Sequence, residues 1–210
     1  MPAPPRGGDL VRPSRAWFAR DSVELAPLLL GAVLAHDTEE GRVAVRLSEV
    51  EAYRGVGEDP GSHGFRGRTP RNAVMFGEGG HLYAYFTYGM HVCINVVAGW
   101  EGRSAGVLLR GGTIVEGVDL ARARRPRSTD RDLARGPARL AQALGVPLAR
   151  NGADLLAEPF DLQVPSTPLP HETGPRTGIS GAGGATEYPW RFWLAGDPGV
   201  SVYRRHPRSH

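Results

Sequence analysis

From Arg42 the chain alternates strictly. Val43, Val45 and Leu47 fall on one face and Arg42, Ala44 and Arg46 on the other, the period-two pattern of a strand with one buried side. Carried forward, the same parity puts Glu49, Glu51 and Tyr53 on the apolar face and Val50 and Ala52 opposite. Either a bulge reverses the strand here or carboxylates point toward the core, and breaks of this kind concentrate where function demands them. In the next strand, HLYAYFTYG, Tyr83 and Tyr85 share one face and Phe86 and Tyr88 the other. After a turn at Gly89, MHVCINVV sends Met90, Val92, Ile94 and Val96 one way and His91, Cys93 and Asn95 the other. AGVLLR then closes on Gly111-Gly112, which reads as a turn. Short turns between successive strands imply antiparallel pairing.

Helices are fewer. Asp21 to Leu34 reads as helical with Asp21 or Ser22 as cap, although Pro27 is also a natural starting point. ARLAQAL is opened by Gly136-Pro137 and stopped by Gly145, with proline at the start and glycine at the end as helix termini prefer. Residues 55–72 form a glycine-rich loop and 165–189 are irregular. Trp190–Leu194 and Val200–Tyr203 read as closing strands around the turn at Gly196-Asp197-Pro198-Gly199. A chain of 210 residues fits one domain, expected over 15–203. Residues 1–14 and 204–210, rich in Pro, Arg, Ser and His, are expected to be flexible tails. The fold class is α+β: a single domain with a mainly antiparallel β-sheet and several helices.

Composition narrows the chemistry. All 25 basic residues are arginine, so a P-loop, a protein-kinase site and a lysine Schiff base are excluded for want of the amine. A single cysteine, Cys93, excludes an intramolecular disulfide and multi-cysteine metal frameworks. The histidines show no metal-ligand spacing, and no cofactor or metal is expected. No apolar run reaches the ~18 residues of a membrane span, and MPAPPRGGDLVRPS lacks the apolar centre of a secretory signal. A cytoplasmic location is expected, with association with the nucleoid if the source is bacterial. The net charge is +3 and the pI about 9.4. Between Arg103 and Arg150, ten arginines face four acids, a block that reads either as a solvated face or as a nucleic-acid surface.

Two groups of residues could carry chemistry. Tyr83, Tyr85 and Tyr88, with Tyr53 on a neighbouring strand, are either core aromatics or, beside arginines, a nucleobase pocket in which each base offers a face worth about 1–3 kcal/mol of stacking. Glu51 is either a carboxylate bonded to an arginine or a general base that deprotonates a water. A third arrangement, Glu49 and Glu51 as a paired-carboxylate glycosidase, stays open on spacing alone.

The ordered segments EVEAYRGVGEDPGSHGFRGRTPRNAVMF, HLYAYFTYGMHVCINVV, GVLLR, ARGPARLAQALGV, GPRTGIS and PWRFWLAG resemble the 3-methyladenine (alkylpurine) DNA glycosylase family of the vertebrate type, across roughly residues 20–203. The resemblance implies a monofunctional base-excision-repair enzyme without lyase activity, acting as a monomer on double-stranded DNA that contains damaged purines. Its substrates would be 3-methyladenine, with 7-methylguanine, hypoxanthine and ethenoadenine as further candidates. It implies Glu51 as the water-activating base, with Arg110 helping to hold the water. It also implies Tyr53, His63 and Tyr85 around the flipped base, Asn95 as the residue that screens out guanine, and Tyr88 as the residue inserted into the duplex. Thr177, where the family usually has an apolar residue, would hold the water through its backbone carbonyl, and the GAGGATEYPW stretch beyond it departs from the family pattern. The alternative reading is a non-catalytic DNA- or RNA-binding module built on the same aromatic and arginine surface.

Overall fold

The computed structural model describes residues 9–87 and 89–210. In chain order the elements are β1 Leu10–Val11, α1 Ser22–Leu28, β2 Val33–Thr38, β3 Gly41–Tyr53, β4 Leu82–Thr87, β5 His91–Val97, β6 Gly106–Glu116, α2 Val118–Arg124, α3 Pro137–Leu144, β7 Phe160–Pro165, β8 Glu172–Gly174 and β9 Arg191–Trp193. Among the described residues the strands form one antiparallel sheet in the order β1-β7-β2-β3-β6-β5-β4, with β9 joined to β3 and β8 to β9. The α+β expectation holds. Around the sheet several boundaries differ from the sequence reading.

The parity break in β3 is a bulge. Leu47 faces Gly112 but Glu49 faces Gly111, and Val50 then faces Leu109. Ser48 on β3 and Arg110 on β6 are thus extra residues, one in each strand, at the same crossing. The reversal keeps Val50 and Ala52 in the main core with Val43, Val45 and Leu47. It turns Glu49, Glu51 and Tyr53 to the opposite face without burying them in hydrocarbon. Arg110 follows them, because its neighbours on β6, Val107 and Leu109, stay in the core. Gly111-Gly112 is not a turn: β6 runs through it to Glu116. These glycines are needed for close approach, since a Cβ at Gly111 would stand 2.5 Å from the Gly199 carbonyl oxygen and one at Gly112 would collide with the Arg46 carbonyl.

One face of the sheet is filled by Leu25 and Ala26 of α1, Ala121 of α2, and Leu140, Ala141 and Leu144 of α3. α1 begins at Ser22, where the Asp21 carboxylate accepts the Val23 N–H at 2.8 Å. It ends at Leu28, six residues earlier than its pattern suggests, and Val33–Thr38 continues as β2. Leu34, Ala35 and His36 of β2 are buried in succession, so both faces of this strand are covered, and such a strand carries no alternation to mark it. α3 matches its pattern, capped by Gly145 with φ of 69°.

Neither end is a loose tail over the described residues. Leu10 and Val11 pair with Val164 and Pro165 on the free edge of β7. At the other end Gly178 N–H donates to the Arg204 carbonyl and Gly181 N–H to that of Arg208. Both segments are held by backbone hydrogen bonds, which composition does not reveal. Val200–Tyr203 forms no strand. It is tied instead by Arg135, whose Nε donates to the Val200 carbonyl at 2.7 Å, and by Ser201 N–H on the Glu49 carboxylate at 2.6 Å.

Candidate active site

The face opposite the main core is polar and aromatic, with the first turn of α3 at its border. Tyr83 and Tyr85 of β4, Cys93 and Asn95 of β5, and Leu108 and Arg110 of β6 lie beside Glu49, Glu51 and Tyr53 of β3. Glu49 and Glu51 are both fully buried, yet their partners set them apart. Glu49 accepts Arg110 Nε at 3.0 Å, Arg191 Nε at 2.6 Å and Ser201 N–H at 2.6 Å. Burial alone would raise its pKa, but Arg110 and Arg191 hold it below the ordinary range. Arg110 is itself held above the ordinary arginine value: burial opposes its charge, but Glu51 and Glu49 outweigh it. Glu49 is an anchor for two arginines, and both carboxylates are fully buried on Arg110, so they offer a paired-carboxylate glycosidase no open pair to flank a sugar.

Glu51 is held more openly. Its Oε1 accepts Thr177 N–H at 2.6 Å, and its Oε2 accepts the Tyr53 hydroxyl at 2.8 Å and Arg110 at 3.4 Å. A carboxylate offers about four lone-pair positions, so three donors leave one for a water. Glu51 does not itself line a cavity. Tyr53, Arg110 and Thr177 do: with His63, Tyr85 and Ile179 they bound a space of about 450 Å³, within the ~300–1,000 Å³ usual for small-molecule sites. A smaller recess of about 60 Å³ continues inward between Tyr53, His63, Tyr83, Tyr85 and Asn95.

The recess is an aromatic box. The His63 ring packs edge-on against Tyr85 at 4.5 Å, and its Nδ1 lies 3.0 Å from the Tyr83 hydroxyl. Desolvation of the imidazole, with Arg71 nearby, holds His63 below its ordinary 6.5, so the ring is neutral at pH 7. Burial pushes the Tyr83 phenol up to about 12 and also raises those of Tyr53 and Tyr85 above the ordinary tyrosine value. The rings therefore stay uncharged and electron-rich. Asn95 is fixed at the floor by its Nδ2, which donates to the Tyr83 carbonyl at 3.1 Å. The structure thus brings together Glu51, Tyr53, His63, Tyr85, Asn95, Arg110 and Thr177. Tyr88 lies outside the described residues.

A clamp behind Tyr53 escapes the sequence reading. Arg176 and Asp59 form a two-pronged ion pair at 2.6 Å with neither side chain exposed. Arg176 also donates to the carbonyls of Ala52 at 3.0 Å and Gly183 at 2.7 Å, and its guanidinium carbon stands 4.5 Å from the Tyr53 ring centre. It thereby ties β3, the glycine-rich loop and the loop of Thr177 into one wall. Asn72 braces the same loop by donating to the His63 carbonyl at 2.8 Å. Asp59 and Arg176 are 117 residues apart in irregular segments, where no periodicity could pair them. The only signal is the arginine of GPRTGIS itself.

Among the described residues the Thr177 hydroxyl is buried without a partner. Thr177→Val keeps the shape and the N–H on Glu51 while removing an unsatisfied group, so stability should rise by up to about 1 kcal/mol. Urea unfolding checks this, and a loss above ~1 kcal/mol would mean that the hydroxyl is bonded.

The profile of the methylpurine-DNA glycosylase (MPG) family matches residues 16–198. The chain belongs to that family. A relative from Leifsonia xyli is 60% identical over 206 residues, covering 96% of this chain and 97% of its own. One from Streptomyces avermitilis is 53% identical over 200 residues, with 92% of each chain covered. Another, from Nocardia farcinica, is 50% identical over 199 residues, with 90% of each covered. All three carry the provisional name 3-methyladenine DNA glycosylase. Family membership gives the aromatic recess a DNA context.

Proposed function

We propose that the protein is a base-excision-repair DNA glycosylase that takes an alkylated purine out of the duplex and hydrolyses its N-glycosidic bond. The observation that carries this reading is Glu51: a wholly buried carboxylate whose three donors are themselves the wall of an aromatic cavity.

The target base cannot be reached inside the stack and must rotate out, at a cost of a few kcal/mol in unstacking. Tyr88 fills the gap it leaves. Alkylation at N3 or N7 makes the purine cationic, and the neutral rings of Tyr53, Tyr85 and His63 favour such a cation over an undamaged base by cation–π attraction. Glu51 accepts a proton from water as the oxygen bonds to C1′. The electron pair of the breaking C1′–N bond returns to the purine, which leaves neutral, so these lesions need no acid. Arg110 and Thr177 N–H orient the Glu51 carboxylate. Asn95 at the floor opposes the exocyclic amine of guanine. Hypoxanthine and ethenoadenine are further candidate substrates.

Chromatography of methylated duplex DNA after incubation with the protein tests this reading. Free methylpurine should appear, with the abasic strand intact until alkali is added. Borohydride present during turnover should trap no protein–DNA adduct, since the chain has no lysine to form one. A cross-link would move the nucleophile from water to an amine of the chain, and binding without base release would favour a non-catalytic module.

A further inference from the structure

Of the ten arginines between Arg103 and Arg150, six bind carboxylates within the protein, while Arg127, Arg131 and Arg150 are exposed without a carboxylate among the described residues. Arg122 binds Asp119 and Asp130, Arg124 binds Glu40, and Arg135 and Arg139 share Asp132. Arg110 is consumed by Glu49 and Glu51. Elsewhere the distribution is different. Residues 60–77 and 198–210 contain no acid at all. Arg66, Arg68 and Arg71 in the first, and Arg204, Arg205 and Arg208 in the second, are exposed, and among the described residues no carboxylate pairs with them.

These two segments flank the cavity. The first carries His63 at the cavity's edge. The second is bonded to the neighbouring loop that carries Thr177, Gly178 and Ile179, through Gly178 N–H on the Arg204 carbonyl at 2.9 Å and Gly181 N–H on the Arg208 carbonyl at 2.8 Å. Gly181 and Ser209 form a parallel bridge, and Arg205 folds back on Ser209 at 2.9 Å, which closes a turn. Backbone bonds thus hold the segment in place while the side chains of Arg204 and Arg208 make no hydrogen bond among the described residues. Placing unpaired guanidiniums at fixed positions beside a cavity has a physical use when the partner is a polyanion of regular spacing.

We propose that residues 204–208 form a strap that contacts DNA backbone phosphates beside the cavity, together with the basic loop of Arg66 and Arg68, and that these two banks supply the larger share of the electrostatic grip. The proposal rests on the glycosylase reading only for the identity of the polyanion. Neither Arg204 nor Arg208 supports the fold through its side chain, so Arg204→Ala/Arg208→Ala should fold normally, as its circular dichroism will report.

The test is the salt dependence of binding to lesion-containing and undamaged duplexes, beside single-turnover base release at saturating protein. Each lost phosphate contact lowers the slope of log K against log salt by about 1. The strap variant should lose about 1 to 2 units of slope and weaken binding equally for both duplexes. Its saturated release rate should match wild type. Arg66→Ala/Arg68→Ala should behave alike, and Arg122→Ala should leave the slope unchanged. An unchanged slope in the strap variant, with wild-type protein still releasing base, overturns the proposal. Wild-type protein that binds with a steep slope but releases no base overturns the enzymatic reading and leaves the strap standing.

Discussion

Glu51→Gln should abolish base release while leaving affinity for lesion DNA within a few-fold of wild type. The substitution keeps the size of the side chain, and the amide can still accept from Thr177 N–H or Tyr53. What it loses is the capacity to take a proton from water. General bases of this kind contribute about 10²- to 10⁴-fold, so the single-turnover rate should fall by at least two orders of magnitude, with the loss in the chemical step and not in binding. Glu49→Gln offers the contrast. Glu49 is held by Arg110, Arg191 and Ser201 and shares only Arg110 with the cavity wall, so its replacement should act through stability and the placing of Arg110. A Glu51→Gln rate within about tenfold of wild type would remove Glu51 from the chemistry.

Asp59→Ala should be the most destabilising single change near the site. It leaves the Arg176 guanidinium buried, without its two 2.6 Å bonds. Breaking one partner of a buried pair costs about 3–5 kcal/mol, a large share of the ~5–15 kcal/mol that holds a domain together. Because Arg176 spans three segments, local order should suffer as well, with faster amide exchange at Thr177 and in the loop of His63. Asp59→Ala/Arg176→Met should recover part of the loss, since an apolar replacement of both partners removes the unpaired charge. Urea titrations of the two variants decide the matter. A loss below about 1 kcal/mol for Asp59→Ala would mean that water or another acid satisfies Arg176.

Much of the sheet is legible because its chemistry-bearing face interrupts the apolar alternation. The break after Leu47 announces that β3 changes character, and only the strand pairing shows that Ser48 and Arg110 are opposing bulges. Parity alone places Tyr83, Tyr85, Cys93 and Asn95, and proline and glycine place α3. The misreadings have particular causes. Gly111-Gly112 resembles a turn because close approach to Gly199 and Arg46 demands the same residue type. β2 reads as part of the preceding helix because it is covered on both sides. β7, FDLQVP, does bury Phe160, Leu162 and Val164 in alternation, but prolines bound it and its partners β1 and β2 are far away in sequence. The Asp59–Arg176 clamp and the strap at Arg204–Arg208 depend on contacts between loops, which carry no period. The basic block is visible by count, but a count cannot show which arginines already hold a carboxylate.

The most direct measurement of the site's role is a crystal structure of the Glu51→Gln protein with a duplex containing one alkylated purine. The purine should be extrahelical, stacked among Tyr53, Tyr85 and His63 with Asn95 at its edge. A water should lie between the residue 51 side chain and C1′, and Tyr88 should occupy the vacated step. A purine still stacked in the duplex above an empty cavity, or one bound with C1′ too far from residue 51 for a bridging water, would contradict the assignment of this cavity as the site of excision.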